Sequence, residues 1–286
     1  MVATMLTMAA RRRRRRYVAL AATVLVVGAL VVVKTVVLND DVHQLTAAEA
    51  LERYRERTST TLVHDTRPTT TSSSESIATP HVQALPAPGV YVYTSSGAES
   101  IDAVGGSRHV YPAETTITIT TEGCGVSLQW NALEERHERW QLCLGDDGIV
   151  VPADGSQSFH EFFGQTKTED LTCDREVVVL PLDGEPRDAV PLTCLLGDLA
   201  WQPVWEVLES DTRTVGGAPV PVVHVRMTVT DDDLYYEHIQ LDWYLTESGL
   251  PVSVTMQKEN LSDTAFGDVR YVEQYTLELT SLAPLR

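Results

Sequence analysis

The 286-residue sequence predicts a mostly β protein: an N-terminal transmembrane helix followed by a single antiparallel β ectodomain stapled by two disulfides. Three observations carry that expectation. Six consecutive arginines, Arg11, Arg12, Arg13, Arg14, Arg15 and Arg16, run directly into an apolar segment. All four cysteines lie after that segment. Residues 87–286 are dominated by period-two alternation of apolar and polar side chains, the pattern of half-buried strands.

The segment Tyr17 to Leu38 carries Lys34 as its only charge and holds 13 Val or Leu residues. Each of those favours insertion by about 0.3–0.6 kcal/mol, and one central Lys opposes it by roughly 2.5–3.5 kcal/mol. Lys34 also lies near the outer end, where its ammonium reaches the headgroups. At a rise of about 1.5 Å per residue the segment extends roughly 33 Å, long enough for the hydrocarbon core. A cleaved signal peptide has a shorter core of about 7–15 residues and a small-residue cleavage site. Here the run ends Thr35-Val36-Val37-Leu38-Asn39-Asp40, without such a site. A basic cluster stays cytoplasmic, so Arg11, Arg12, Arg13, Arg14, Arg15 and Arg16 are the residues expected to set the topology. That topology is a basic cytoplasmic tail over 1–16, a plasma-membrane span over 17–38, and everything beyond it outside the cell.

All 40 acidic residues follow the apolar segment, against 15 Lys and Arg, so the outer part carries a formal charge of −25. That disfavours nucleic acid as a partner, because like charges repel. Four cysteines outside the membrane fit an oxidising compartment. Cys124, Cys143, Cys173 and Cys194 allow three connectivities. Pairing Cys124 with Cys143 and Cys173 with Cys194 closes two short loops between neighbouring β segments, each stabilised by roughly 3 kcal/mol. No C-x-x-C spacing supports the competing zinc site.

Residues 39–86 read as an extracytoplasmic linker. Within it, Thr46 and Glu49 form a capping box and Leu45 and Ala50 a hydrophobic staple, which predicts a short helix over about 47–57. The Thr- and Ser-rich stretch over 58–76 holds too few apolar groups to offset its ordering entropy. The β domain is expected to begin near Pro88-Gly89-Val90-Tyr91. Ile117 and Ile119 alternate with threonines. Val223, Val225, Met227 and Val229 share one face, as do Ile239, Leu241, Trp243 and Leu245, then Val252, Val254 and Met256. Asp146-Asp147-Gly148 and Glu247-Ser248-Gly249 supply turn chemistry, and Asp231-Asp232-Asp233 marks a hairpin tip. One apolar and one polar face per strand implies an antiparallel sheet curled over one core. The only helical pattern inside the domain spans about Asn131 to Arg139.

No motif for a catalytic, cofactor or metal site is present. G-x-S-x-G, S-x-x-K, the P-loop and G-x-G-x-x-G are all missing. His160-Glu161 is not H-E-x-x-H, and adjacent side chains of a strand point to opposite faces. The histidines form no closely spaced metal pair, so any site needs convergence over long sequence separations. Glu273 is the exception. It shares the expected core face with Val269, Tyr271, Tyr275 and Leu277, and a buried carboxylate requires a partner or a cavity. It is the candidate polar residue of a ligand cavity.

The stretch Trp243-Tyr244-Leu245-Thr246-Glu247-Ser248-Gly249-Leu250-Pro251-Val252 resembles a strand-turn-strand of envelope proteins of the LolA, LppX and RseB type. The anchor, spacer and Pro-Gly-Val-Tyr entry resemble those of actinobacterial membrane-anchored proteins. The first resemblance implies a half-open antiparallel barrel whose concave face holds an acyl chain or lipid. The chain departs from that pattern in having no obvious lid helices and in its four cysteines; Leu195 to Trp201 would then cover the open face. Together these features favour an envelope protein with a structural or protein-interaction role and no cofactor. The alternative is a lipid or apolar-ligand binding module, and the third reading is a hydrolase whose site is not written as a motif.

Overall fold

The computed structural model describes residues 42–61, 83–103, 106–196, 199–231, 237–264 and 267–286. The expected membrane span over 17–38 lies outside these residues, as does most of the Ser/Thr-rich stretch. So do the expected topology determinants Arg11, Arg12, Arg13, Arg14, Arg15 and Arg16. Among the described residues no helix is long and apolar enough to cross a membrane. The folded unit considered below comprises 42–160 and 166–286.

Helix α1 (Ala47–Thr61) opens on the expected capping box. The backbone N–H of Thr46 donates to Glu49 Oε2 at 2.9 Å, and that of Glu49 donates to Thr46 Oγ1 at 3.3 Å. The helix runs four residues beyond the expected end at 57. It does not stand free in a linker. Leu45 and Ala50 are buried against Val90 of strand β1 (Gly89–Ile101), and the backbone N–H of Glu134 donates to the His43 carbonyl at 2.9 Å. The folded unit therefore begins at Val42, ahead of the linker's expected end.

The rest is a single antiparallel sheet. Strands β13 (Val204–Val215), β14 (Ala218–Asp231), β15 (Glu237–Leu245), β16 (Pro251–Thr264) and β17 (Gly267–Leu279) pair in succession. β17 pairs with β1, whose other edge is shared by β2 (Ser107–Val110) and β3 (Glu114–Glu122). β4 (Gly125–Asn131) and β5 (Arg136–Gly145) continue the path. β5 then pairs with both β6 (Gly148–Val151) and β7 (Ser156–Phe162). β9 (Val177–Pro181) pairs with β6 and lies against β13 and β14, so the curl of this half-barrel brings distant strands of the path together. At Gly97 β1 changes partner from β3 to β2. A Cβ there would come within 2.1 Å of the Gln274 carbonyl oxygen, and the residue's φ of 139° suits glycine alone.

Both disulfides form as expected: Cys124 with Cys143, and Cys173 with Cys194. The second joins residues directly opposite each other on β8 (Gln165–Cys173) and β11 (Cys194–Leu196). The Glu247-Ser248-Gly249 turn closes the β15–β16 hairpin, with Gly249 N–H donating to the Thr246 carbonyl at 2.8 Å. β14 and β15 stay paired to Asp231↔Glu237; Asp232 and Asp233 lie outside the described residues.

Two expectations are corrected. The segment Asn131 to Arg139 is not helical: β4 ends at Asn131 and β5 begins at Arg136. Its inward positions on β5 are Arg136, Glu138, Trp140 and Leu142, all buried. Two charged residues on the core face erased the period-two signal and left a helix-like mixture of Leu, Glu and Arg. The rule of one polar face per strand also fails at β3, where Thr116 and Thr118 are buried along with Ile117 and Ile119. Asn131 Nδ2 serves those threonines, donating to their hydroxyls at 3.3 and 3.1 Å.

Candidate functional site

The ladder registers sort the concave face into rows. One row reads Leu277, Val254, Trp243, Val225 and Val207. The next reads Tyr275, Met256, Leu241, Met227 and Trp205. Two residues further along each strand, the row becomes Glu99, Glu273, Lys258, Ile239 and Val229. The interior thus passes from apolar to charged within one turn of the pleat, because side chains two apart share a face.

At that boundary a buried polar group assembles from strands distant in sequence. Glu99 on β1 and Glu273 on β17 stand directly opposite each other, both essentially inaccessible. Two carboxylates in that arrangement repel unless a cation intervenes. Arg136, fully buried on β5, supplies it. Its Nε donates to Glu273 Oε1 at 3.0 Å and its Nη2 to Glu273 Oε2 at 3.1 Å. Nη2 also contacts Glu138, Nη1 donates to the His137 carbonyl at 2.8 Å, and Nε lies 3.7 Å from Glu99. The guanidinium additionally sits 5.6 Å from the centre of the Trp130 ring.

Histidines and tyrosines complete the shell. The Nδ1 of His109 lies 2.8 Å from Glu99 Oε1, and that of His160 lies 3.0 Å from Glu99 Oε2. An ionised carboxylate only accepts, so both imidazoles donate through Nδ1. Tyr111 donates to Glu273 at 2.6 Å and Tyr275 to Glu138 at 3.1 Å. The Tyr271 hydroxyl bridges the two opposed carboxylates, 2.8 Å from Glu99 and 3.1 Å from Glu273.

Burial by itself would raise the Glu99 carboxyl, but hydrogen bonds from His109 and His160 and the charge of Arg136 outweigh it and hold it down to about 2. Glu273 follows the same logic: burial opposes ionisation, the Arg136 charge prevails, and its pKa is lowered. Burial first, then neighbouring carboxylates, push Tyr111, Tyr271 and Tyr275 well above their ordinary value. The carboxylates therefore remain acceptors and the phenols remain donors near neutral pH. These groups sit far from the pKa that efficient proton transfer at neutral pH requires, and they act as a mutually satisfied structural network.

Beside this network lies an open cavity of about 90 Å³. Trp140, Trp201, Trp205, Met227, Leu241 and Met256 are among its apolar lining residues. Glu138, Glu169, Arg175 and Lys258 supply its charged margin. Trp140 and Trp205 pack edge-on against Trp243 with ring centres 5.3 and 5.7 Å away, which stiffens the apolar wall. Trp201, on β12 (Leu199–Trp201), donates from Nε1 to Glu237 at 2.8 Å. Leu196 and Trp201 both line the cavity, while Leu195 is exposed, and Gly197 and Asp198 lie outside the described residues.

The sequence-predicted residues fall as follows. Glu273 is buried on the core face, with Arg136 as its partner, and it is not among the residues lining the cavity. His160, read as structural, is a member of the network. Cys124, Cys143, Cys173 and Cys194 are all in disulfides. Arg11, Arg12, Arg13, Arg14, Arg15 and Arg16 lie outside the described residues. Sequence reasoning missed Glu99, His109, Arg136, Glu138 and Lys258. A usable signal existed for Glu99 and Lys258, which share the inward parity of their strands as Glu273 does; Arg136 and Glu138 also face inward, but their charges masked the alternation of β5.

The chain matches no protein-family model, no curated protein and no solved structure.

Proposed function

We propose that the protein is a single-pass envelope protein, anchored through residues 17–38, whose curled sheet binds the apolar part of a small ligand. The open cavity walled by Trp140, Trp205, Met227 and Met256 carries this reading. It favours ligand binding over the purely structural or protein-interaction role that composition alone suggests. A folded domain normally fills its interior to crystal-like density, so an open apolar space beside a fully satisfied polar network is a feature to be used. The volume of about 90 Å³ is below the roughly 150 Å³ of an engineered apolar cavity that holds benzene. The end of a single alkyl chain suits it, and a whole lipid does not. On the anchor reading only residues 39–41 separate the span from the folded unit.

Two measurements test this. Tryptophan fluorescence of the full chain in phosphatidylcholine nanodiscs is expected to change saturably with a short-chain amphiphile, and Leu241→Trp, which fills the cavity, is expected to abolish saturation. An identical titration of the filled variant counts against the pocket. For the anchor, a carboxy-terminal alkaline phosphatase fusion is expected to be active in intact cells, and activity confined to the cytosol contradicts it.

A further inference from the structure

Two cations line the cavity, and they differ in what they already hold. Arg175 is committed: Nη1 lies 3.1 Å from Asp174 Oδ2 and Nη2 donates to the Pro191 carbonyl at 2.6 Å. Lys258 makes no ion pair and no hydrogen bond among the described residues. Its ammonium stands 5.5 Å from the centre of the Tyr271 ring, a cation–aromatic contact. Its cross-strand neighbours are Glu273 and Ile239, which places it on the concave face at the step from the apolar rows to the charged one.

The carboxylates near it are taken. Glu273 is bound by Arg136 and Tyr111. Glu138 receives Arg136 and Tyr275. Glu169, which also lines the cavity, is the carboxylate that Lys258 influences most: against the effect of burial, the Lys258 charge, ahead of Lys167, holds the Glu169 carboxyl down to about 2, while the direct contacts of Glu169 are Lys167 and the Ser158 hydroxyl, the latter at 3.4 Å. Lys258 is therefore a partly buried ammonium lining the cavity without a direct hydrogen-bond partner, its charge met only at a distance by Glu169. A group that enters along the tryptophan wall and ends in a negative charge would complete it.

We propose that Lys258 binds the anionic head of a small amphiphile, an alkyl chain ending in a carboxylate, with part of the chain in the cavity beneath. The proposal rests on the ligand-binding reading above and adds the charge of the ligand and the residue that selects it. The ammonium is a compact point charge on a flexible stem, so it recognises the sign of the head more than its shape. Trp140, Trp201 and Trp205 bracket the tail.

All five tryptophans lie within the β domain, so heavy-atom quenching reports occupancy there. The full chain in phosphatidylcholine nanodiscs would be titrated with 8-bromooctanoate, 8-bromooctanol and 8-bromooctyl-trimethylammonium. The carboxylate is expected to bind about tenfold tighter than the alcohol, the worth of one partly desolvated ion pair, and the ammonium weakest of the three. Lys258→Ala is expected to weaken the carboxylate far more than the alcohol and so to close most of the gap between them. Lys258→Glu should invert the order in favour of the ammonium. Equal affinity of the wild-type chain for carboxylate and alcohol overturns the assignment of Lys258 but leaves the pocket standing, and that comparison needs no variant to fold. Carboxylate binding untouched by Lys258→Ala overturns it too. Quenching by none of the three probes removes the pocket along with the head-group assignment.

Discussion

Along β15 and β16 the concave face changes character within four residues. Trp243 and Val254 face the interior in an all-apolar row, while Ile239 and Lys258 face it beside Glu273 and Glu99. Both rows lie largely out of water, yet they are stabilised by different physics. Val254 and Leu277 contribute by leaving water, and any well-packed neighbour serves them. Glu99, Glu273, Glu138 and Arg136 contribute only as a complete set, since a buried charge that loses its partner keeps the whole desolvation penalty. The apolar rows thus tolerate local vacancy, which is where the cavity lies, and the charged group tolerates none. The proposed binding site sits at their border, where unfilled apolar space adjoins Lys258.

The comparison is most strained by Arg136→Met. Three carboxylates would lose their shared cation, and urea unfolding should show a loss of about 3–5 kcal/mol. Adding Glu273→Leu should restore part of that loss. A double variant as unstable as the sum of the singles would mean that the polar group obeys ordinary packing rules. Leu277→Ala in the apolar row should cost about 2–5 kcal/mol, with the same value at pH 7 and pH 4.

Acid should separate the two regions next. Glu99 titrates near 2 in the folded chain against an ordinary value of 4.5. The unfolded chain therefore takes up protons first, and the contribution of Glu99 is present above pH 4.5 and lost as pH falls toward 2. The loss between pH 7 and pH 3 is on the order of 2 kcal/mol, read from urea midpoints at pH 7, 4 and 3. Glu99→Gln should flatten that dependence, and an acid limb unchanged by the substitution would assign it elsewhere.

The smallest effects set two phenols against each other. Tyr275 donates to the Glu138 carboxylate, whereas Tyr93 donates to the Pro251 carbonyl at 2.7 Å. Tyr275→Phe should cost about 1.5–3 kcal/mol and Tyr93→Phe about 0.5–1.5 kcal/mol, because hydrogen bonds to charged acceptors are the stronger ones. Equal melting shifts would erase the distinction between the two environments.

The apolar region was legible in the sequence and the charged region was not, for one physical reason. Period-two alternation reports which side chains avoid water, so Ile239 to Leu245 and Val252 to Met256 announced their strands and their inward face. The same rule reads an inward Arg136 or Glu138 as outward, which is why Asn131 to Arg139 looked helical. Glu273 stood out because Tyr271, Tyr275 and Leu277 flank it on the same face. Its partner is 137 residues away, and that pairing depends on curvature that no local pattern encodes. The capping box at Thr46 is a local signal, and it placed the start of α1. The docking of α1 on Val90 was not legible, because one buried valine on the convex face resembles any other.

The most direct test is a crystal structure of the full chain with 8-bromooctanoate, read from the anomalous signal of bromine. The account predicts a single strong peak between Trp140, Trp205 and Met227, with the carboxylate within hydrogen-bond reach of Lys258 Nζ. A cavity that stays closed by its own side chains, with bromine found only at the surface or in detergent, would contradict it.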